Sequence, residues 1–177
     1  MKQLAVLLFI GMAAALPASA ASATPCITLA HQSYCRVWSA KNASMSKTEF
    51  LRSGETVDRW QNMITVLRYN GLTMKEAIAH YMSIVRNYMG PDDHPVWIQP
   101  THGPHAEAAA TRLVLVSPGV QGEYVVVYFF KDPGKPVYQV AFSQHLPLPT
   151  HDVPSMAQYG KWLDDMQAMP AAAVAAK

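Results

Sequence analysis

The sequence predicts an α+β domain, a mostly antiparallel sheet with two covering helices. Three observations lead there. Residues 111–116, 123–131 and 137–144 are short runs rich in valine and aromatics, separated by Ser117-Pro118-Gly119 and Asp132-Pro133-Gly134, which suits an antiparallel meander. Residues 74–89 and a second stretch opening at Ser155 repeat apolar side chains at helical spacing behind capping signals. Further extended segments precede the first helix, so strands and helices come in blocks, as in an α+β domain.

In chain order, residues 1–20 have the three parts of a signal peptide. Lys2 is the positive end, residues 4–16 are apolar and uncharged, and Pro17 precedes Ala18-Ser19-Ala20, a small-x-small cleavage pattern. That apolar run falls short of the ~20 residues that a spanning helix needs, so no membrane anchor is expected. Losing Lys2 takes the formal charge of +2 down to about +1, which offers no electrostatic case for nucleic acid. Residues 21–35 form a leader with a cysteine loop, 36–169 a single α+β domain, and 170–177 a disordered tail.

The two cysteines, Cys26 and Cys35, are expected to pair in an oxidising compartment. A bridge needs Cα atoms within about 7 Å, so the chain must reverse between Thr28 and Ser33. Residues 36–40 and 47–52 then read as a first hairpin around Asn42-Ala43-Ser44, followed by a strand at 63–69 closed by Asn70-Gly71. Thr73 and Glu76 cap the first helix, whose apolar face is Met74, Ala77, Ile78, Tyr81, Met82, Val85, Tyr88 and Met89. Gly90-Pro91 ends it. Residues 90–110 are irregular, with Trp97-Ile98 as a short strand. Tyr124 to Phe130 are apolar on both faces, as a central strand should be. The second helix places Met156, Tyr159, Leu163 and Met166 on one side, and Pro170 stops it.

Residues 49–66, with Glu49-Phe50-Leu51-Arg52 and then Gly54-Glu55-Thr56-Val57-Asp58-Arg59-Trp60, resemble the PsbP-like fold group, and within it small secreted proteins of Gram-negative bacteria. The resemblance covers roughly 36–168. It implies an α/β/α sandwich and a tendency toward binding or assembly roles, and it transfers no catalytic residue.

Candidate chemistry is sparse. Asp92-Asp93-His94 with His102 and His105 offers zinc- or copper-type ligands, although in a Pro/Gly loop with no preset geometry. There is no Gly-x-Ser-x-Gly elbow and no phosphate or dinucleotide loop. Glu55 is suited to holding the turn before Trp60, and it could instead form an acid/base pair with Asp58. Of the four tryptophans, Trp97 is expected to be the most exposed and able to anchor an interface. The expected function is that of a periplasmic or secreted non-catalytic binding or envelope-assembly accessory protein. It would be a monomer or small homo-oligomer, without cofactor, using Glu55, Trp60 and Trp97 to meet an envelope protein partner. The alternative is a metal-binding or hydrolytic protein using His94, His102 and His105.

Overall fold

The computed structural model describes residues 24–89, 95–98, 103–116, 122–146, 155–169 and 174. The expected signal peptide, His94, His102 and the tail apart from Val174 lie outside the described residues. The elements are β1 (Cys26–Leu29), β2 (Gln32–Lys41), β3 (Met45–Leu51), β4 (Asn62–Tyr69), α1 (Met74–Val85), β5 (Val96–Ile98), β6 (Glu107–Val116), β7 (Gly122–Lys131), β8 (Val137–Leu146) and α2 (Met156–Gln167). One 3-10 turn, Arg86–Tyr88, follows α1.

All eight strands join one sheet in the order β1-β2-β3-β4-β8-β7-β6-β5, and every pairing is antiparallel. Two meanders, β1 to β4 and β5 to β8, therefore meet along β4 and β8. Their register runs from Asn62↔Gln144 to Tyr69↔Val137.

This corrects the expected architecture. The chain does mix strands and helices, but the molecule is a curled eight-stranded half-barrel with two short helices, not a two-helix-covered sheet or an α/β/α sandwich. Dimensions explain why. Eight strands at about 4.8 Å spacing span ~34 Å from edge to edge, whereas a helix of 12 residues is only ~18 Å long. Two such helices cannot cover both faces.

The position of α2 shows the curl directly. It packs on β7, where Trp162 lies 6.1 Å from Tyr124 between ring centres. Its Asp165 carboxylate also accepts a 2.6 Å hydrogen bond from the Ala30 amide, beside β1. In a flat sheet β1 and β7 would stand ~24 Å apart, five strand spacings, too far for one helix of ~10–12 Å diameter. The sheet wraps α2.

The inner core holds Tyr34, Phe50, Ile64, Tyr124, Tyr128, Phe130 and Phe142 from the sheet, with Tyr159, Trp162, Leu163 and Met166 from α2. Val174, beyond the end of α2, is buried in it as well. On the outer face, α1 lays Ala77, Tyr81, Met82 and Val85 over Tyr69, Val125, Val127 and Phe129. The capping box of Thr73 and Glu76 forms as expected, with reciprocal bonds of 3.3 and 2.8 Å. Covered on both sides, β7 needs apolar residues at consecutive positions.

Strand β6 starts earlier than the sequence predicts, because Ala108-Ala109-Ala110 look like poor strand formers. Their partners are Phe130, Phe129 and Tyr128. Small side chains beside large rings fill the layer, and packing overrides propensity.

The β1–β2 hairpin turns through Ala30 and His31, both at positive φ (50° and 63°), with Leu29 paired to Gln32. A two-residue turn with both centres left-handed matches strand twist but favours Asn-Gly over Ala-His. A non-glycine residue in that region costs roughly 1–2 kcal/mol, part of which glycine's own chain entropy would return. His31→Gly is therefore expected to stabilise the protein by about 0.5–1 kcal/mol, read as a raised urea midpoint at unchanged m-value. A lowered midpoint would show that the His31 side chain itself holds the turn.

Candidate functional site

The most organised surface feature is the connection between β3 and β4. Its hub is Glu55, whose carboxylate accepts from the Arg52 amide (3.2 Å), the Arg52 guanidinium (2.8 Å) and the Gln61 amide (3.0 Å). Between these anchor points Thr56 and Arg59 exchange backbone hydrogen bonds of 3.0 and 2.9 Å, closing a miniature hairpin with Val57 and Asp58 at its tip. Val57 is exposed. The loop is therefore fixed at its base by one side chain and along its length by main chain.

Its far end is tied to β8. Trp60 stacks on His145 with ring centres 3.7 Å apart and planes at 24°. His145 Nδ1 lies 2.8 Å from the Trp60 carbonyl oxygen. A carbonyl only accepts, so Nδ1 carries a proton and, in the neutral ring, Nε2 keeps the lone pair. The His145 amide donates to the Gln61 carbonyl (3.0 Å), and Gln61 Nε2 donates back to the His145 carbonyl (2.6 Å). These bonds continue the β4–β8 ladder one residue beyond Asn62↔Gln144. The stack thus sits on sheet backbone, with an open concavity of about 400 Å³ beside it, lined by Gly54, Glu55, Asp58, Arg59, Trp60, Gln61 and His145.

Burial alone would raise the Glu55 pKa, but the hydrogen bonds from the Arg52 side chain and the Gln61 and Arg52 amides outweigh it and hold the carboxyl below its ordinary 4.5. A depressed folded-state pKa contributes stability above the unfolded value, and that contribution is lost as pH falls through the folded value. The loop is accordingly expected to loosen below about pH 4.5, visible as a change in tryptophan emission. Glu55→Gln should remove that acid transition. If the transition persists unchanged in the variant, another group is responsible for it.

Trp97 does not join this surface. It lies on β5, the opposite edge from β1, and three strands separate β5 from β4, ~19 Å across the sheet. It is 43% exposed and pairs with Thr111. Of the three histidines considered as metal ligands, His105 is described. Its side chain is 3% exposed, Nδ1 lies 3.2 Å from the Asp132 carboxylate, and the ring stacks on Phe130 at 3.9 Å. Among the described residues no group of three or more His, Cys, Asp or Glu side chains could hold a metal ion. Cys26 and Cys35 form the expected disulfide, facing each other across β1 and β2.

His145 and Arg52 were not singled out by sequence. Nothing local marks His145, which stands 85 residues from the tryptophan it stacks on. Arg52 and Glu55, three residues apart, were closer to being readable as a turn pair.

Fold and site together define a half-barrel domain that presents a rigid polar loop with an aromatic floor. The chain belongs to the protein family whose model matches residues 21–173. No curated protein and no solved structure matches it.

Proposed function

We propose that this is an exported, non-catalytic binding protein of the cell envelope that holds an extended segment of a partner protein against the loop at 52–61. The observation carrying this reading is the rigidity of that loop. Glu55 is committed to three hydrogen bonds within it, and Trp60 is fixed on His145 before any partner arrives. A preorganised loop with a tryptophan beside exposed polar groups loses little freedom on docking. Tryptophan is also enriched among residues that dominate interface energies. The concavity is open and lined mainly by polar side chains, whereas small-molecule pockets are mostly enclosed and apolar.

Export is supported by the signal-like N-terminus, by the Cys26–Cys35 disulfide, which belongs to oxidising compartments, and by a family match that begins at residue 21. No described helix is long and apolar enough to cross a membrane.

The test is to crosslink the protein mildly in its native envelope, identify the captured partner, and measure its affinity for wild type and Trp60→Ala. Loss of about 2 kcal/mol or more is expected, roughly thirtyfold, with stability little changed because Trp60 is only partly buried. Unaltered affinity in the variant would remove the loop from the interface.

A further inference from the structure

A second polar cluster lies on the inner face of the half-barrel, away from the loop. Arg112 projects from β6, two residues from fully buried Ala110, and pairs with Val126 on β7. Its guanidinium carbon sits 5.9 Å from the centre of the Tyr159 ring on α2. The Tyr124 hydroxyl, on β7, also faces it. Burial raises the Tyr124 pKa, and a hydrogen bond with the Arg112 side chain, together with its charge, opposes that rise.

Tyr124 and Tyr159 are 1% and 2% exposed. The Tyr159 hydroxyl oxygen and the Arg112 Nε are buried without a hydrogen-bond partner in the protein, while the Tyr124 hydroxyl has the Arg112 side chain as its hydrogen-bonding neighbour. Among the described residues no carboxylate forms an ion pair with Arg112, and the first turn of α2 carries no acidic residue. The donors of Arg112, Tyr124 and Tyr159 thus converge where, among the described residues, no carboxylate pairs with them, and the tyrosine oxygens are the acceptors at hand. Buried donors are almost always paired, because an unpaired one is strongly unfavourable. A guanidinium offers planar paired donors suited to two oxygens of one anion, and tyrosine hydroxyls can add to them. Arg112 is only partly buried, so its side chain connects the cluster to solvent.

We propose that Arg112, Tyr124 and Tyr159 form a binding site for a small oxyanion, the shared chemistry of carboxylate, phosphate and sulfate groups. The site lies beneath the N-terminal part of α2, so occupation ties α2 to β6 and β7 and stabilises the fold by mass action.

The experiment is thermal unfolding of the purified protein titrated with sodium phosphate, sodium sulfate or sodium acetate, ionic strength being held constant with sodium chloride. At least one anion should raise the Tm saturably. Acetate acting alone would identify a carboxylate site, and phosphate or sulfate a tetrahedral one. Arg112→Gln should weaken the apparent affinity at least tenfold. The double variant Tyr124→Phe/Tyr159→Phe, which keeps both rings, should weaken it severalfold and carries the test if Arg112→Gln fails to fold. The proposal is overturned if all three anions behave as chloride does, or if the double variant retains wild-type affinity.

Discussion

Trp162→Ala should destabilise the protein by about 3–5 kcal/mol, the cost of removing a large buried aromatic and leaving its space unfilled. Trp162 is 4% exposed and is the side chain through which α2 meets the middle of the sheet, 4.6 Å from Phe142 and 6.1 Å from Tyr124 between ring centres. Its neighbours cannot collapse into the gap easily. Tyr124 and Phe142 stand on adjacent paired strands, β7 and β8, whose backbones are fixed by the ladder. The loss should also propagate to the β1–β2 hairpin, because α2 holds it through Asp165 and the Ala30 amide. Urea unfolding measures the total. Hydrogen exchange should show faster opening of β1 than of β4 or β8. A loss below about 1 kcal/mol would contradict this, because a well-packed core aromatic cannot be removed so cheaply.

Removing the disulfide, by reduction or as Cys26→Ser/Cys35→Ser, is expected to cost about 2–3 kcal/mol in the chain-entropy model. The two cysteines are separated by 9 positions in sequence, so the loop is short and the gain modest compared with long-range bridges. The location adds to the effect. This loop contains the left-handed Ala30-His31 turn, whose strain opposes hairpin formation when the ends are free. Cys26 and Cys35 also sit at the open end of the β1–β2 ladder. The bridge and His31→Gly act on one hairpin, so their effects should not add: relieving the turn should matter more in the reduced protein than in the oxidised one. Denaturation with and without reductant measures both. Equal midpoints in the two conditions would show that the hairpin needs no covalent closure.

Several elements were readable in the sequence because their signals are local. The helix beginning at Met74 announces itself by its capping box and apolar stripe. The turn required between Thr28 and Ser33 followed from cysteine spacing alone, and it forms at Ala30 and His31. The double-faced run from Tyr124 to Phe130 identified a strand covered on both sides, which β7 is. Glu55 was legible as a turn-holding carboxylate, since its partners at 52 and 61 lie close in the chain.

What failed depended on distance. Glu55 and Trp60 belong together at the middle of the sheet, but Trp97, which shares only a residue type with Trp60, stands on the edge strand β5, with three strands between it and β4. His145 entered the site only because β8 pairs with β4 in a register that carries it to Trp60. The Ala108–Ala110 segment became strand only because aromatic partners lie beside it on β7.

The sequence by itself determined the helices, most strands, the disulfide and the part Glu55 plays in holding the turn before Trp60. Each depends on backbone preferences and hydrogen bonds made within about ten residues. Only the tertiary structure decided that the two meanders join through β4 and β8, that the sheet curls around α2, and that Trp60 meets His145 while Arg112 meets two tyrosines. The physical reason is that apolar periodicity says which side of an element is buried, but not what buries it. That choice is made by the fit of whole faces, Trp162 and its neighbours filling the inside of a sheet too wide for two short helices to cover.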